Sequence, residues 1–184
     1  VITAVFAPLL KANDICETAQ QISSFPFIAN FDNCLAAADG PAGTCNSGGP
    51  VMQNDVWFKY NASANGTLHI DVLCNYYGIV VVYTGQDCMA FNEIYCWSGP
   101  HHLFQVNVIE NSNYWIQIGQ WGDIPGGGNT SLHIEANLKY SGGTGDPCDP
   151  YKIASKADLL QLAQTPADYN ECFILTADVN LAGE

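Results

Sequence analysis

The sequence predicts an all-β protein: a jelly-roll-like antiparallel β-sandwich followed by a small C-terminal α+β cap module. Short segments with apolar residues at every second position recur about every 10 to 20 residues. Glycine, proline, asparagine and aspartate separate these segments, which is the composition of tight turns. No helical apolar period lies between them until residue 154. Many short strands without intervening helices are typical of a sandwich.

The clearest strand pair lies between Asn54 and Cys74. Apolar residues alternate on both sides of a central turn, and the Asn65-Gly66 pair in that turn tolerates positive φ. The alternating residues are Val56, Phe58 and Tyr60 before the turn, and Leu68, Ile70 and Val72 after it. The same reasoning predicts strands at residues 25–31, 55–60, 67–73, 79–83, 103–108, 114–119 and 131–138.

Composition divides the chain into four parts. Residues 1–12 form an apolar arm, 13–140 the sandwich, 141–147 a glycine-rich linker and 148–184 the cap module. Within the module, Ser155 is predicted to cap a helix at residues 154–164, with Asp158 completing a capping box. A strand follows near residues 173–175. The module is too small to close a core of its own.

Charge narrows the range of partners. The formal net charge is −13, with five lysines and no arginine, so nucleic acid and anionic membranes are disfavoured. The apolar stretch at residues 1–10 is about half the length that crosses a bilayer, so no membrane insertion is expected. Calcium is a candidate ligand, although no EF-hand spacing exists. Its oxygens would come from predicted turns, at Asp32, Asp39, Asp87 and Asp123.

Eight cysteines without any Cys-x-x-Cys pair favour disulfides over zinc. Disulfides place the protein outside the reducing cytosol, in an extracellular or cell-surface location. Cys88 and Cys96 are close enough in sequence to staple one loop, and Cys148 and Cys172 bracket the last segment. Pairing stays open for the remaining four, Cys16, Cys34, Cys45 and Cys74.

Three triplets fit the N-glycosylation pattern. They begin at Asn61, Asn65 and Asn129. Such triplets also arise by chance in a chain rich in asparagine and serine, so both interpretations stay open.

An ordered series of motifs resembles the pre-peptidase C-terminal type of β-sandwich found in secreted bacterial proteins. The resemblance covers about residues 13–138, with one departure: no cysteine precedes Cys74 in the turn at residues 61–65, so its partner stays open. The motifs are Asn13-Asp14-x-Cys16, Asp39-Gly40-Pro41, Asp55-Val56-Trp57-Phe58-x-Tyr60, Val82-Tyr83 before Cys88, and Tyr114-x-Ile116-x-Ile118-Gly119.

The final segment resembles the opening turn of right-handed β-helix proteins. It runs from Tyr151-x-Ile153 through Asp158-Leu159 to Phe173-x-Leu175 and Asp178-Val179-Asn180-Leu181. Both resemblances imply extracellular, non-catalytic, adhesive or accessory roles. Neither carries catalytic residues onto this chain.

The residues themselves also point away from catalysis. The chain contains no nucleophile elbow, no His-Glu-x-x-His and no phosphate loop with a lysine. His69 and His133 are predicted beside Asp71 and Glu135, where solvated cross-strand pairs are favoured over a catalytic pair. We therefore predict that the protein is not an enzyme.

Three tryptophans are candidate sugar-stacking residues: Trp57, Trp115 and Trp121. Trp57 and Trp115 fall opposite the main apolar faces of their strands, so they form either an exposed platform or part of a second packed layer.

The N-terminal arm suggests self-assembly. Its apolar residues face both ways in an extended conformation, so the arm would suit the sheet edge of a neighbouring copy. The residues concerned include Val1, Ile2, Val5 and Phe6. The sequence thus predicts a structural or adhesive extracellular protein, with a head-to-tail filament or other homo-assembly as one form. The alternative is a carbohydrate- or calcium-dependent binding module of a larger secreted protein.

Overall fold

The computed structural model describes residues 13–45, 52–122 and 126–181, and it is mostly β. Nine strands, one α-helix and two 3-10 turns make up its elements. In chain order they are a turn at Cys16–Thr18, β1 Gln20–Ile22, β2 Phe27–Asp32, β3 Gln53–Asn61, β4 Gly66–Thr84, β5 Asn92–Val108, β6 Asn113–Gln120, β7 Asn129–Leu138, β8 Tyr151–Ile153, α1 Lys156–Gln164, a turn at Pro166–Asp168 and β9 Phe173–Leu175. The predicted all-β class with a small cap is confirmed.

Two long strands build both layers of the sandwich. The second half of β4, residues 78–84, pairs with β6 and with the first half of β5. The first half, residues 66–74, pairs with β7 and the second half of β5. We call the layer of β1, β3, β6 and the adjoining halves of β4 and β5 sheet I, and the layer of β2, β7 and the other halves sheet II.

A break in register lets these strands turn from one sheet into the other. The pairing of β4 with β5 shifts between Leu73 and Gly78, which is the position of a bulge. The sequence predicted two strands here, and predicted β5 to begin only at residue 103. Instead each strand continues around the corner, and Pro100 is tolerated because β5 pairs on one side only, with β4, among the described strands.

The main core lies between the two sheets. It contains the alternating apolar residues that the sequence predicted in β3 and β4, together with the inward residues of β5, β6 and β7. Phe58, Ile70, Ile116, Ile118 and Ile134 are fully buried there. Burial of a side chain of this size contributes roughly 1.5 to 3 kcal/mol, so this layer dominates the stability of the sandwich.

The cap module, residues 148–181 of the described chain, packs against the end of the sandwich. β8 and β9 form a parallel pair, and α1 begins with the predicted capping box of Ser155 and Asp158. Lys152 forms an ion pair with Glu110 at 2.5 Å. Asn65 donates a hydrogen bond to the Gly143 carbonyl at 3.0 Å, so the predicted linker is itself held against the sandwich.

Candidate ligand-binding groove

The outer face of sheet II is open to solvent and mostly polar. Alternation along each strand directs one set of side chains into the core and the other set outward. The outward set is Ile28, Asn30 and Asp32 on β2, His69, Asp71 and Leu73 on β4, Leu103 and Gln105 on β5, and Asn129, Ser131, His133 and Glu135 on β7.

A groove of about 650 Å³ lies where β2, β4 and β7 meet at one end of this face. Ser131 is opposite Asn30 on one side and Leu73 on the other, so these three side chains form one row across the sheet. The lining residues are Asn30, Phe31, Asp32, Leu73, Cys74, Asn75, Asn129, Thr130 and Ser131. Amide, hydroxyl and carboxylate groups therefore surround apolar surface from Phe31 and Leu73.

Buried hydrogen bonds fix the backbone beneath the groove. The Asn33 side chain donates to the Asn54 carbonyl at 2.7 Å and accepts from the Gly128 N–H at 2.7 Å. Its amide also donates to the Tyr76 hydroxyl, which lies 2.8 Å from the Thr130 hydroxyl. Burial raises the pKa of Tyr76, so this hydroxyl stays neutral. These bonds hold the Asn33 and Tyr76 side chains and the Thr130 hydroxyl in place at the groove.

Two exposed aromatic rings lie near the groove, at the bulge of β4 between Leu73 and Gly78. Tyr77 and Trp121 are 53% and 44% exposed, and their ring centroids are 5.7 Å apart. The backbone N–H of Trp121 donates to the backbone carbonyl of Tyr77 at 2.9 Å, which ties the two segments together. Of the three tryptophans predicted to stack on sugars, Trp121 has the exposure that stacking needs.

Of the two alternatives for Trp57 and Trp115, the exposed platform is wrong and the second packed layer is present. The two side chains are 1% and 4% exposed and belong to a second apolar cluster on the outer face of sheet I. Phe91 stacks on Trp57 with centroids 5.3 Å apart. The sequence pattern placed both tryptophans on the correct face, but it could not show that the segments around residues 13–19 and 33–45 cover that face.

The histidine pairs on sheet II are solvated cross-strand pairs, as the favoured interpretation expected. Asp71 lies opposite His133, and His69 lies opposite Glu135. Asp71 also accepts a hydrogen bond from exposed His101 at 2.9 Å. Exposed pairs of this kind contribute little to stability.

The disulfides of the described chain differ from the predicted pairing. Cys88 is bonded to Cys16, and Cys96 to Cys45, so the prediction of a Cys88 to Cys96 staple is wrong. Short sequence separation was misleading because each cysteine instead anchors a distant segment onto sheet I. The other four behave differently: Cys74 is a buried thiol, Cys148 an exposed and Cys172 a half-buried thiol, and Cys34 is exposed.

The glycosylation triplets differ in their surroundings. Asn61 is exposed. Asn65 uses its amide N–H on Gly143 and its amide oxygen on the Glu110 N–H, at 3.0 and 2.9 Å, so a glycan on this nitrogen conflicts with the docked cap. Asn129 lines the groove, where a glycan would fill it. Glycosylation stays a prediction at Asn61 and Asn129.

Buried carboxylates lie on the covered side of the molecule. Asp14 and Asp55 each have one buried oxygen without a hydrogen-bond partner. Burial raises the pKa of Asp55 to about 6, although Gln117 donates to it at 2.9 Å. Within residues 13–45, 52–122 and 126–181, no three His, Cys, Asp or Glu side chains are placed to hold a metal ion. Of the predicted calcium ligands, Asp123 lies outside the described residues.

No helix in the described part of the chain has both the length and the apolar character needed to cross a membrane. The predicted assembly residues Val1, Ile2, Val5 and Phe6 lie outside the described residues.

Two layers of β-strands with an open, mostly polar groove at one end define the class of this chain, a disulfide-bonded β-sandwich domain. The family comparison agrees with that class. A family model described as galactose binding domain-like, of the T9SS-associated type, matches residues 12–134. This match covers more than half of the chain, so the chain belongs to that family. The two disulfides found among the described residues and this membership are consistent with an extracellular or surface protein.

Several solved structures are similar to this chain at low sequence identity. The pre-peptidase C-terminal domain of a Bacillus anthracis collagenase is 14% identical, with a TM-score of 0.42, 64% of this chain covered and 94% of that chain. PliG, a periplasmic inhibitor of g-type lysozyme from Aeromonas hydrophila, is 12% identical, with a TM-score of 0.41 and coverages of 65% and 96%. The Yersinia pseudotuberculosis-derived mitogen is 11% identical, with a TM-score of 0.38 and coverages of 60% and 86%.

No curated protein matches the chain. The β-sandwich that the sequence resemblance implied is present, whereas the resemblance to a β-helix opening turn stays a prediction.

Proposed function

We propose that this chain is a non-catalytic carbohydrate-binding module of an extracellular protein, with a neutral sugar held in the groove between β2, β4 and β7. The observation that carries the proposal is the lining of the groove. Neutral amide and hydroxyl groups from Asn30, Asn75, Asn129 and Ser131 stand around the apolar surface of Leu73. Sugars present the same combination of hydroxyl groups and apolar C–H faces.

Charge favours a neutral ligand over an anionic one. Asp32 is the charged residue among those that line the groove, and the whole chain carries a formal charge of −13. An anionic sugar would therefore meet repulsion without a compensating cation in the groove. Membership of a galactose binding domain-like family makes galactosides the first ligands to test.

Binding is tested on an array of neutral and anionic glycans, followed by titration calorimetry with methyl β-galactoside and each glycan that binds. We expect a neutral glycan to bind. Asn30→Ala and Ser131→Ala should each weaken binding about 10-fold or more, because each removes hydrogen bonds in a partly desolvated site.

Asn107→Ala is the matched control, since Asn107 is also exposed on sheet II but lies opposite Thr67, outside the lining of the groove. It should bind as the unmodified chain does. An array without any neutral ligand, or equal losses in all three variants, would contradict the proposal.

A second candidate function is homo-assembly by strand exchange of the N-terminal arm. One observation favours it: in the described chain, β5 pairs with β4 alone, and its stretch from Leu103 to Val108 holds no charged residue that would discourage pairing. Light scattering on the chain with and without residues 1–10 tests it. A polymer that becomes a folded monomer supports assembly, and an unchanged mass contradicts it.

A further inference from the structure

We propose that Cys148 and Cys172 form a third disulfide, which closes the cap module around helix α1. The inference is independent of the sugar-binding proposal. It begins from the backbone around the two thiols, which are an exposed Cys148 and a half-buried Cys172.

The backbone of Cys172 is hydrogen-bonded on both sides to the short segment that contains Cys148. The Cys172 N–H donates to the Gly145 carbonyl at 2.8 Å, and the Tyr151 N–H donates to the Cys172 carbonyl at 2.9 Å. Residues bonded in this way have Cα atoms about 5 Å apart. Cys172 is therefore fixed against both ends of the segment from 145 to 151.

A tight turn folds Cys148 back toward these two anchor points. The Asp149 N–H donates to the Asp146 carbonyl at 3.0 Å, so Cys148 sits inside a four-residue turn. Cys148 is three residues from each anchor, and the turn shortens that path. A disulfide needs Cα atoms roughly 4.4 to 6.8 Å apart, which this arrangement allows with rotation of the two side chains.

No other cysteine is positioned to pair with these two. Cys16, Cys45, Cys88 and Cys96 are already bonded to one another. Cys74 lies at the end of the sandwich away from the cap. It is eight residues along β4 from Gly66, which corresponds to about 26 Å between these two residues in an extended strand.

Cys34 lies at the same distant end. It is beside Gly127, whereas the cap contacts the opposite end of β7, where the Lys139 ammonium donates to the Tyr151 hydroxyl at 2.8 Å. The length of β7, from Asn129 to Leu138, separates these ends by about 30 Å. Within this chain, each cap thiol therefore has only the other cap thiol within reach as a disulfide partner.

The bond forms by exchange with a small-molecule disulfide such as oxidised glutathione. The Cys148 thiolate attacks one sulfur, which forms a mixed disulfide and releases one thiol. The Cys172 thiolate then attacks the Cys148 sulfur and releases the second thiol. The two protein thiols lose two protons and two electrons, and the small disulfide is reduced to two thiols.

Tryptic mapping of the full chain, oxidised in a glutathione buffer and alkylated before digestion, tests the bond directly. Cleavage after Lys139, Lys152 and Lys156 places Cys148 alone in residues 140–152 and Cys172 alone in residues 157–184. The other six cysteines fall in residues 12–59 and 60–139. We expect peptide 140–152 joined to peptide 157–184, and two separate peptides after reduction.

Several results would overturn the proposal: both peptides carrying the alkyl group, either peptide joined to residues 12–59 or 60–139, or a disulfide-linked dimer. A second measurement compares thermal unfolding of the oxidised chain with C148S/C172S. Closing this loop should raise the melting temperature of the cap by roughly 5 to 10 °C. Equal melting temperatures would also contradict the bond.

Discussion

The two outer faces of the sandwich differ in what covers them. On sheet I, Trp57, Trp115, Ile79 and Val81 form a second apolar cluster beneath chain segments tied down by two disulfides. On sheet II, the outward residues of β2, β4 and β7 are mostly polar and meet solvent. One face is therefore structural, and the other is available to a ligand.

Strand β4 contributes to both the open face and the covered face. β4 alternates apolar and polar residues in its first half, whereas every residue from Ile79 to Tyr83 is buried in its second half. Continuous burial requires a covering layer on both sides. The change occurs at the bulge where β4 leaves sheet II for sheet I.

The largest expected effect is on the covered face. Trp57→Ala should lower the free energy of unfolding by about 3 to 5 kcal/mol, because it leaves a cavity among Tyr83, Phe91 and the surrounding apolar residues. Leu103→Ala is the control on the open face, where the side chain is 66% exposed. It should change stability by about 0.5 kcal/mol or less. Urea unfolding measures both, and similar losses would contradict the distinction.

The second largest loss of stability is expected from removing a disulfide of the covered face. Replacing Cys16 and Cys88 with serine opens a connection between residues 72 apart in sequence and should cost about 2 to 4 kcal/mol. Denaturant unfolding of the double variant provides the value. If stability were unchanged, this bond would not hold the covering segment on sheet I.

Asp55, on the covered face, should make the stability of the folded protein depend on pH. Its pKa is raised from 3.8 to about 6, so the unfolded state ionises first as pH rises, and the folded state loses stability between those two values. Below pH 3.8 the carboxyl is neutral in both states and this cost is absent. Asp55→Asn does not ionise, so it should gain about 2 to 3 kcal/mol relative to the unmodified chain between pH 4 and pH 7.

The measurement is urea unfolding of both proteins across that pH range. The lowered pKa values of Glu110, Asp158 and Asp168 act in the opposite direction, but they are common to both proteins and cancel in the difference. A difference that stayed constant with pH would show that Asp55 is not the source.

The strands could be predicted from the sequence, whereas the segments that cover the outer face of sheet I could not. Alternation located the inner core of β3 and β4, and the capping box located helix α1, because both signals are local. The partners of Cys88 and Cys96 are 72 and 51 residues away, and Phe91, which stacks on Trp57, is also distant in sequence. No local pattern contains such contacts. The groove was missed for the same reason: Asn30, Leu73 and Ser131 come from three distant strands.

The central claim is that ligand binding belongs to the open face alone. Backbone amide NMR of the labelled chain, titrated with a neutral glycan that binds on the array, tests it most directly. The account predicts saturable shifts at Asn30, Leu73 and Ser131, and none around Trp57 on sheet I. Saturable shifts centred on Trp57 and its neighbours, with an unchanged groove, would contradict it.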